Sequence, residues 1–523
     1  CGLQRPACAQ CVRSKRECVG YPGENIFVFV KPGSKKKRGE PENCEEVERR
    51  KPPTVSLDDE DSTSTEQSTD TDWRLTTTTY ENQLPYPFTE NSNASRIVIR
   101  SSNCHNLVNT FIVDCFPLDR PHATFTTDGR PWTYFLPQLP TKSRALESAS
   151  VAVAAAALGR KHGIRDLSRE GLKYYTRALR HLQEALWDKD LVLEDETLTA
   201  CMAVGMFEVI ECANLGRSAF ESHVKGLMAL VRARGTKRHT SGPGYALFLA
   251  MRCAGIMMAI RNKTPNFLSE PVWMEGPWAL NPKSLMDRVH DCLALTPAIA
   301  QKTSLIPYLE PQKKVDLARR VALNYWEIER MLDDVYAEIQ STGPSPLYWP
   351  VTSTLQLPPD PKREFFPVAY WFSDLMTAWM MMTFWATRVM IWTGLGDIYK
   401  IIEEIQPDLI DNFPSPDSSD NATSVNSPYP TTASSALPQL DHRKDYLSLA
   451  HNVCRSAEYC VQEKTRMAGS VTVIPPLGLL MGSLAHRREY AREIVWIRAL
   501  ISLIRLGEIQ SVVHGSRRKP PTE

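Results

Sequence analysis

The 523-residue sequence lacks a dominant charge: 61 Lys+Arg stand against 60 Asp+Glu. This excludes a chain that coats nucleic acid through uniform basicity, so any electrostatic partner must be met by a local patch. A membrane-length apolar run is lacking in the tryptophan-rich stretch Trp371–Trp392. There Asp374 and Arg388 bound an uncharged run of 13 residues, short of the roughly 20 that cross a bilayer. The stretch reads as a buried helix, and no membrane partner is expected. No charged-then-apolar signal opens the chain, and Cys1 stands where an initiator Met is usual, which reads as an incomplete or processed start. The motifs G-x4-G-K-S/T, G-x-G-x-x-G, H-E-x-x-H and G-x-S-x-G are absent, so no catalytic residue is assigned and no enzyme is expected. There is no repeat of fixed period and no period-two run beyond a few residues.

What is present is uneven in its distribution. Four of the thirteen cysteines fall within the first eighteen residues, and residues 1–38 hold nine Lys/Arg against two acids. Without a secretory signal, closely spaced cysteines read as metal ligands in a reducing compartment. Residues 39–100 turn acidic and Ser/Thr-rich, with Asp58-Asp59-Glu60-Asp61 followed by Ser62-Thr63-Ser64-Thr65. They offer too little apolar surface to offset the entropy of ordering, and are expected to be a disordered linker. Its acids interleave with Trp73, Leu75 and Tyr80, which suits either an activation segment or a solvated spacer.

The remainder, 101–513, is expected to be an α-helical domain, with an inserted Ser/Pro/Thr-rich loop at about 413–440. Leu172, Tyr175, Leu179, Leu182 and Leu186 recur at intervals of three and four, the spacing of one apolar stripe. Asp195 to Cys212 begins with two acids, favourable at a helix start. Ser218 and Glu221 fit a capping box for a helix that closes on Arg232, Arg234 and a left-handed Gly235. Further helices are expected at about 246–261, 312–340, 364–393, 443–465 and 487–507, which makes the fold class all-α.

Cys1, Cys8, Cys11 and Cys18 are spaced C-x6-C-x2-C-x6-C, with Pro6 in the first interval and Arg13, Lys15 and Arg16 in the last. Thiolates at this density suit zinc in tetrahedral geometry. One zinc held as a knuckle, or free thiols, are the plainer alternatives. The segment resembles the latter two-thirds of the six-cysteine binuclear zinc cluster of fungal transcription factors. Cys1 then matches the third cysteine, and Cys8, Cys11 and Cys18 the fourth to sixth. The resemblance implies two Zn2+ ions in the complete cluster. Cys8 would be a bridging thiolate, Cys1 a terminal ligand of one metal, and Cys11 and Cys18 ligands of the other. It also places the first two cysteines and the base-reading helix upstream of Cys1, which leaves Arg13, Lys15 and Arg16 as phosphate contacts on double-stranded DNA. Lys35, Lys36, Lys37 and Arg38 then suit a nuclear import signal or a DNA-contacting arm.

A second resemblance covers roughly 140–510. Tyr174–Leu186, Asp195-Glu196-Thr197-Leu198, His223-x-x-Gly226 leading to Arg234-Gly235, and Val453–Cys460 are similar to stretches of the fungal-specific transcription factor domain. This implies a large α-helical regulatory domain without catalytic residues. Gly226 is expected to admit a neighbouring helix, and His223 to be a hydrogen-bonded packing residue rather than a ligand sensor. Met380-Met381-Met382 with Trp371, Trp379, Trp385 and Trp392 suits core packing, or less readily a small-molecule pocket. Together these readings imply a nuclear, zinc-dependent, sequence-specific regulator of RNA polymerase II genes in a fungus, with transcription machinery or coregulators as partners. Homodimerisation is left open, because no sustained heptad seam follows Cys18. The alternative is a DNA-independent helical scaffold, or a ligand-responsive regulator with a decayed cluster.

Overall fold

The computed structural model describes residues 101–116, 132–139, 143–211, 217–355, 357, 365–406 and 437–506. The cysteine module, the acidic linker and most of the 413–440 insertion lie outside them. The described residues form thirteen α-helices and one two-stranded sheet, as the all-α expectation requires.

A first core joins α1 (Ser101–Cys115), α2 (Arg144–Lys161), α3 (Arg165–Trp187) and α4 (Asp195–Glu211). α2 starts where the Ser143 hydroxyl accepts from the Leu146 N–H at 3.4 Å, and its last turn carries Arg160 and Lys161. Its run Ala152–Ala157 is buried on every side, as expected of a helix that is apolar all round. α3 lays its smallest residues, Gly171, Ala178 and Ala185, toward this core. A Cβ added at Gly171 would sit 3.2 Å from the Ala152 carbonyl oxygen, so the two backbones nearly touch.

That close approach overturns the expected α3 stripe. Leu182 is buried, but Leu172 and Leu179 are 55% and 40% exposed, and Tyr175 and Leu186 are half-buried. Against an alanine surface, small side chains bring the most atoms into contact, so α3 turns its bulkier leucines outward.

A second core joins α5 (Arg217–Arg234), α6 (Gly242–Asn262), the short α7 (Pro271–Glu275), α8 (Leu285–Leu305), α9 (Pro311–Thr342), α10 (Leu375–Ile405), α11 (Tyr446–Cys460), α12 (Arg466–Leu484) and α13 (Ala491–Leu506). α10 is its central rod, with Met380, Met382, Ile391, Leu395 and Ile398 fully buried. α4 serves both cores: Leu198 and Met202 face the second, Ala200, Ala203, Val204 and Phe207 the first.

Several boundaries differ from expectation. The helix expected at 364–393 is instead a strand followed by α10. Tyr348–Thr352 (β1) pairs antiparallel with Val368–Phe372 (β2), with Tyr348 opposite Phe372. The helix cannot start before Asp374, whose carboxylate accepts from the Thr377 N–H at 2.8 Å. The helix expected at 443–465 spans 446–460, capped by Asp445, and α12 follows as a separate element with Pro475 and Pro476 inside it. α5 begins at Arg217, one residue before Ser218, which therefore sits in the first turn rather than at the cap. Among the described residues, two helices are apolar and long enough to cross a membrane by length and composition, α6 and the segment Glu463–Leu484. Both contribute to the second core, α6 through Leu247, Phe248 and Ile256 and α12 through Val473, Leu477 and Leu480.

Candidate functional site

The residues assigned to metal and DNA (Cys1, Cys8, Cys11, Cys18, Arg13, Lys15, Arg16 and Lys35–Arg38) lie outside the described residues. Among the described residues, no group of three His, Cys, Asp or Glu side chains is placed to hold a metal. Burial pushes the thiols of Cys201, Cys253, Cys292 and Cys460 up to about 12, which keeps them protonated and unreactive at neutral pH.

What the fold does bring together are the separated helical phrases. In the first node Glu208 on α4 holds α3 to α5. It accepts the Tyr175 hydroxyl on one oxygen and lies 2.7 Å from His223 Nε2 on the other. Tyr175 also stacks on Phe207, with ring centroids 4.4 Å apart. Burial alone would raise the Glu208 carboxyl, but the hydrogen bonds from His223 and Tyr175 outweigh it and hold it below the usual range. His223 is thus the packing residue expected. Gly226 is not the close-approach residue expected, since a Cβ there would meet nothing within 4 Å among the described residues.

The second node ties the start of α4 to the end of α5. The Arg234 guanidinium, 1% exposed, pairs with Asp195. Gly235 then takes φ 75° and ψ 161°, a region open essentially to glycine alone. The expected positive φ is there, but the conformation is extended rather than helical. The chain turns through Thr236–His239, and the buried His239 ring lies 2.9 Å from the Gly244 carbonyl through Nδ1. A Cβ on Gly244 would fall 2.1 Å from the Arg238 carbonyl oxygen, so only glycine lets α6 begin against this turn.

A third cluster was not legible as a site in the sequence. Arg252 is fully buried, with its guanidinium 4.5 Å from the Trp278 ring. It donates to the Asp287 carbonyl at 3.0 Å and to the Asp291 carboxylate. Lys283 bridges Asp291 and Glu275, each at 2.9 Å. Ser284 and Asp287 cap α8 reciprocally, and the Ser284-x-x-Asp287 spacing is the signal that could have located it. A cleft of about 330 Å3 opens here, lined in part by Lys283, Arg288, Asp291, Cys292 and Val335. Its carboxylates are already held by cations and its thiol is protonated, so the cleft offers no activated nucleophile.

The methionine and tryptophan run belongs to the core: Met380, Met381, Met382, Trp385 and Trp392 are buried, while Trp371 and Trp379 pack half-buried against it. Trp392 Nε1 donates at 2.9 Å to Glu329, a fully buried carboxylate that also accepts from Arg443 Nε at 3.2 Å. Arg388, beside it, pairs with Asp333. Trp326 donates to the Tyr399 hydroxyl at 2.9 Å, which donates in turn to the Pro438 carbonyl at 2.5 Å. This network fixes the end of α10 and the returning chain at 437–444. The phrase Val453–Cys460 forms the second half of α11, beside β2. From it Glu458 accepts the Ser353 and Thr354 hydroxyls at 2.6 and 2.7 Å and the Thr354 N–H at 3.0 Å. All of these are positioning contacts.

Comparison with known proteins bears on the first of these regions. An uncharacterized protein of Emericella nidulans is 30% identical over 122 residues, which is 23% of this chain and 26% of that relative. The match therefore spans about a quarter of the relative's length. No solved structure matches the chain. The family model that matches, described as the fungal specific transcription factor domain, covers residues 106–268. It takes in α1 to α6 with the Glu208 and Asp195–Arg234 nodes, and stops short of the Val453–Cys460 phrase; over that segment the chain is similar to a fungal transcription factor domain.

Proposed function

We propose that the protein is a fungal, nuclear, zinc-dependent transcription regulator that binds double-stranded DNA and acts through its helical region on the transcription machinery or coregulators. The observation that carries this reading is the match of residues 106–268 to the fungal specific transcription factor domain, downstream of Cys1, Cys8, Cys11 and Cys18 and their basic residues. Four cysteine sulfurs are a donor set that suits zinc. In this reading the cysteines contribute ligands to the cluster, Arg13, Lys15 and Arg16 meet phosphate, and Lys35–Arg38 serve import or DNA contact. The helical nodes act as the frame that couples α3, α4 and α5, and the helical region acts by binding its partners.

The test is chromatin immunoprecipitation of the protein tagged at its own locus, together with zinc analysis of the purified protein. Discrete promoter peaks that vanish on Cys8→Ser, with loss of bound zinc, are expected. Retained peaks with Cys8→Ser, or a protein that carries no zinc and stays in the cytoplasm, would favour the DNA-independent scaffold.

A further inference from the structure

α3 turns two unlike edges to solvent. At about 100° per residue, Leu172 and Leu179 fall on one edge of its outward face, Arg169, Lys173 and Arg180 on the other, and Arg165 and Thr176 between them. Leu172 and Leu179 are 55% and 40% exposed, and Trp187, on the same face at the helix end, is 80% exposed. Exposed apolar side chains are ordinary when scattered singly; here three line one helix. The cations outnumber what the fold uses. α3 carries five, against Asp166, Glu170 and Glu184. Arg169 lies 2.7 Å from Asp166, and Lys173 pairs with the nearly buried Glu170. Arg177 lies over the Tyr174 ring at 5.1 Å. Arg165 and Arg180 have no carboxylate partner among the described residues. Arg165 and Arg169 moreover stand in the first two turns, at the positive end of the helix dipole, where a cation weakens the helix. Past Arg180 the sign changes: Glu184, Asp188 and Asp190 stand against Lys189.

We propose that this face docks an acidic amphipathic helix of a protein partner, whose apolar side chains pack on Leu172, Leu179 and Trp187 and whose carboxylates pair with Arg165, Arg169, Lys173 and Arg180. Neither half of that chemistry suffices alone. A phosphate backbone would pair with the cations but leave the leucines and the tryptophan wet, and an uncharged apolar helix would cover the cations without a counter-charge. The two edges stand about 90° apart around α3, roughly 8 Å at the side-chain surface, within the roughly 10 Å breadth of one helix. A single helix laid along the row of Arg165, Thr176 and Gln183 therefore reaches both edges, with anchors spaced as in other helix-docking faces. The change of sign past Arg180 gives the contact a direction. The partner's acids lie against the first four turns of α3 and its basic residues against the exit. Acids are favoured at a helix start and bases at its end, so the partner runs parallel to α3. Solvent-exposed pairs contribute modestly and are screened by salt, so the leucines and the charges must act together. The inference rests on the proposed function only for the partner's identity as a coregulator; the contact itself needs neither zinc nor DNA.

Fluorescence anisotropy of the full chain with a labelled synthetic peptide of about six helical turns tests it. The peptide carries leucines along one edge, glutamates along the adjoining edge of its first four turns, and lysines at its end. The expected result is saturable binding that weakens about fivefold as NaCl rises from 50 to 300 mM. Leu172→Ser combined with Leu179→Ser should weaken it about tenfold. Arg180→Glu should weaken it about fivefold, and changing the facing glutamate of the peptide to lysine should restore it to within about threefold. The substituted side chains are exposed, so unchanged circular dichroism and thermal midpoint are expected to show that the losses are not misfolding. No saturable binding, equal binding of a peptide of the same composition in scrambled order, or indifference to these substitutions would each overturn the proposal. Binding of phosphatidylserine vesicles or of random-sequence duplex DNA that the double leucine variant abolishes would also overturn it, by making lipid or nucleic acid the occupant. The assay contains no promoter sequence and does not depend on zinc, so its failure leaves the DNA-binding reading to the chromatin experiment.

Discussion

Ionisable side chains inside the helical region make its stability depend on pH in a definite direction. Burial, aided by the Arg252 charge, lowers His290 to about 3, whereas an unfolded chain titrates it near 6.5. The unfolded state therefore takes up the proton first, and stability falls as pH drops below about 6.5. His239 is displaced the same way, by burial and then by Arg234. Glu208, held below its usual range, adds stability that is lost at more acidic pH, below the ordinary carboxylate value. At pH 5.5 His290 alone should cost about 1.4 kcal/mol. Urea unfolding of the protein and of His290→Gln at pH 7.5 and 5.5 checks this: the variant should lose less stability on acidification by about that amount, and equal losses would refute it. Such residues were only partly legible. Glu329 lies three to four residues from Tyr325, Trp326 and Leu332, so the spacing put it on the apolar face. Its partners Trp392 and Arg443 are 63 and 114 residues away, and no local pattern announces them. His223 was read as a packing residue from its position beside Leu227 and Leu230, but Glu208, which holds it, was not singled out.

Three helices without an internal proline were found close to their true extent: α4, α6 and α9 lie within a few residues of expectation. α1, α2, α7, α8 and α12 were not singled out; of these, α8 and α12 contain proline inside the helix, Pro297 in one and Pro475-Pro476 in the other. Proline removes a hydrogen bond and is read as a stop signal, but a helix with enough buried surface carries the defect. On α3 the period was read correctly and the face was not, because the partner helix offers alanine and the tightest contact goes to the smallest side chains. Glycine shows the same dependence on surroundings. Gly244→Ala drives a Cβ into the Arg238 carbonyl, and should destabilise by about 1–3 kcal/mol. Gly478→Ala fills open space and should stabilise by up to about 1 kcal/mol. Thermal midpoints that move in opposite directions are expected; a shared direction would show that one of the two environments is misassigned.

For the whole molecule, the helical class could be read from periodicity, while the division of labour between two interiors could not. α4 reads as one amphipathic-poor helix, and nothing in its order of residues says that Leu198 and Phe207 serve different cores. Composition alone sets the cysteine-rich and acidic blocks apart from the helical region, since they differ in charge and apolar content, but those blocks lie outside the described residues.

Sharing of α4 has a practical corollary for anyone working from similarity alone. The matched stretch 106–268 takes α5 and α6 but leaves behind α8 to α10, so Val231, Leu247, Phe248 and Ile256 would lose the helices that shelter them. Expressed alone, that stretch should bind a hydrophobic dye and precipitate, while 101–506 should remain in solution with a cooperative melt. The smallest autonomous piece is then set by what α4 divides, and the edges of recognisable ancestry are not the edges at which this polypeptide can be cut.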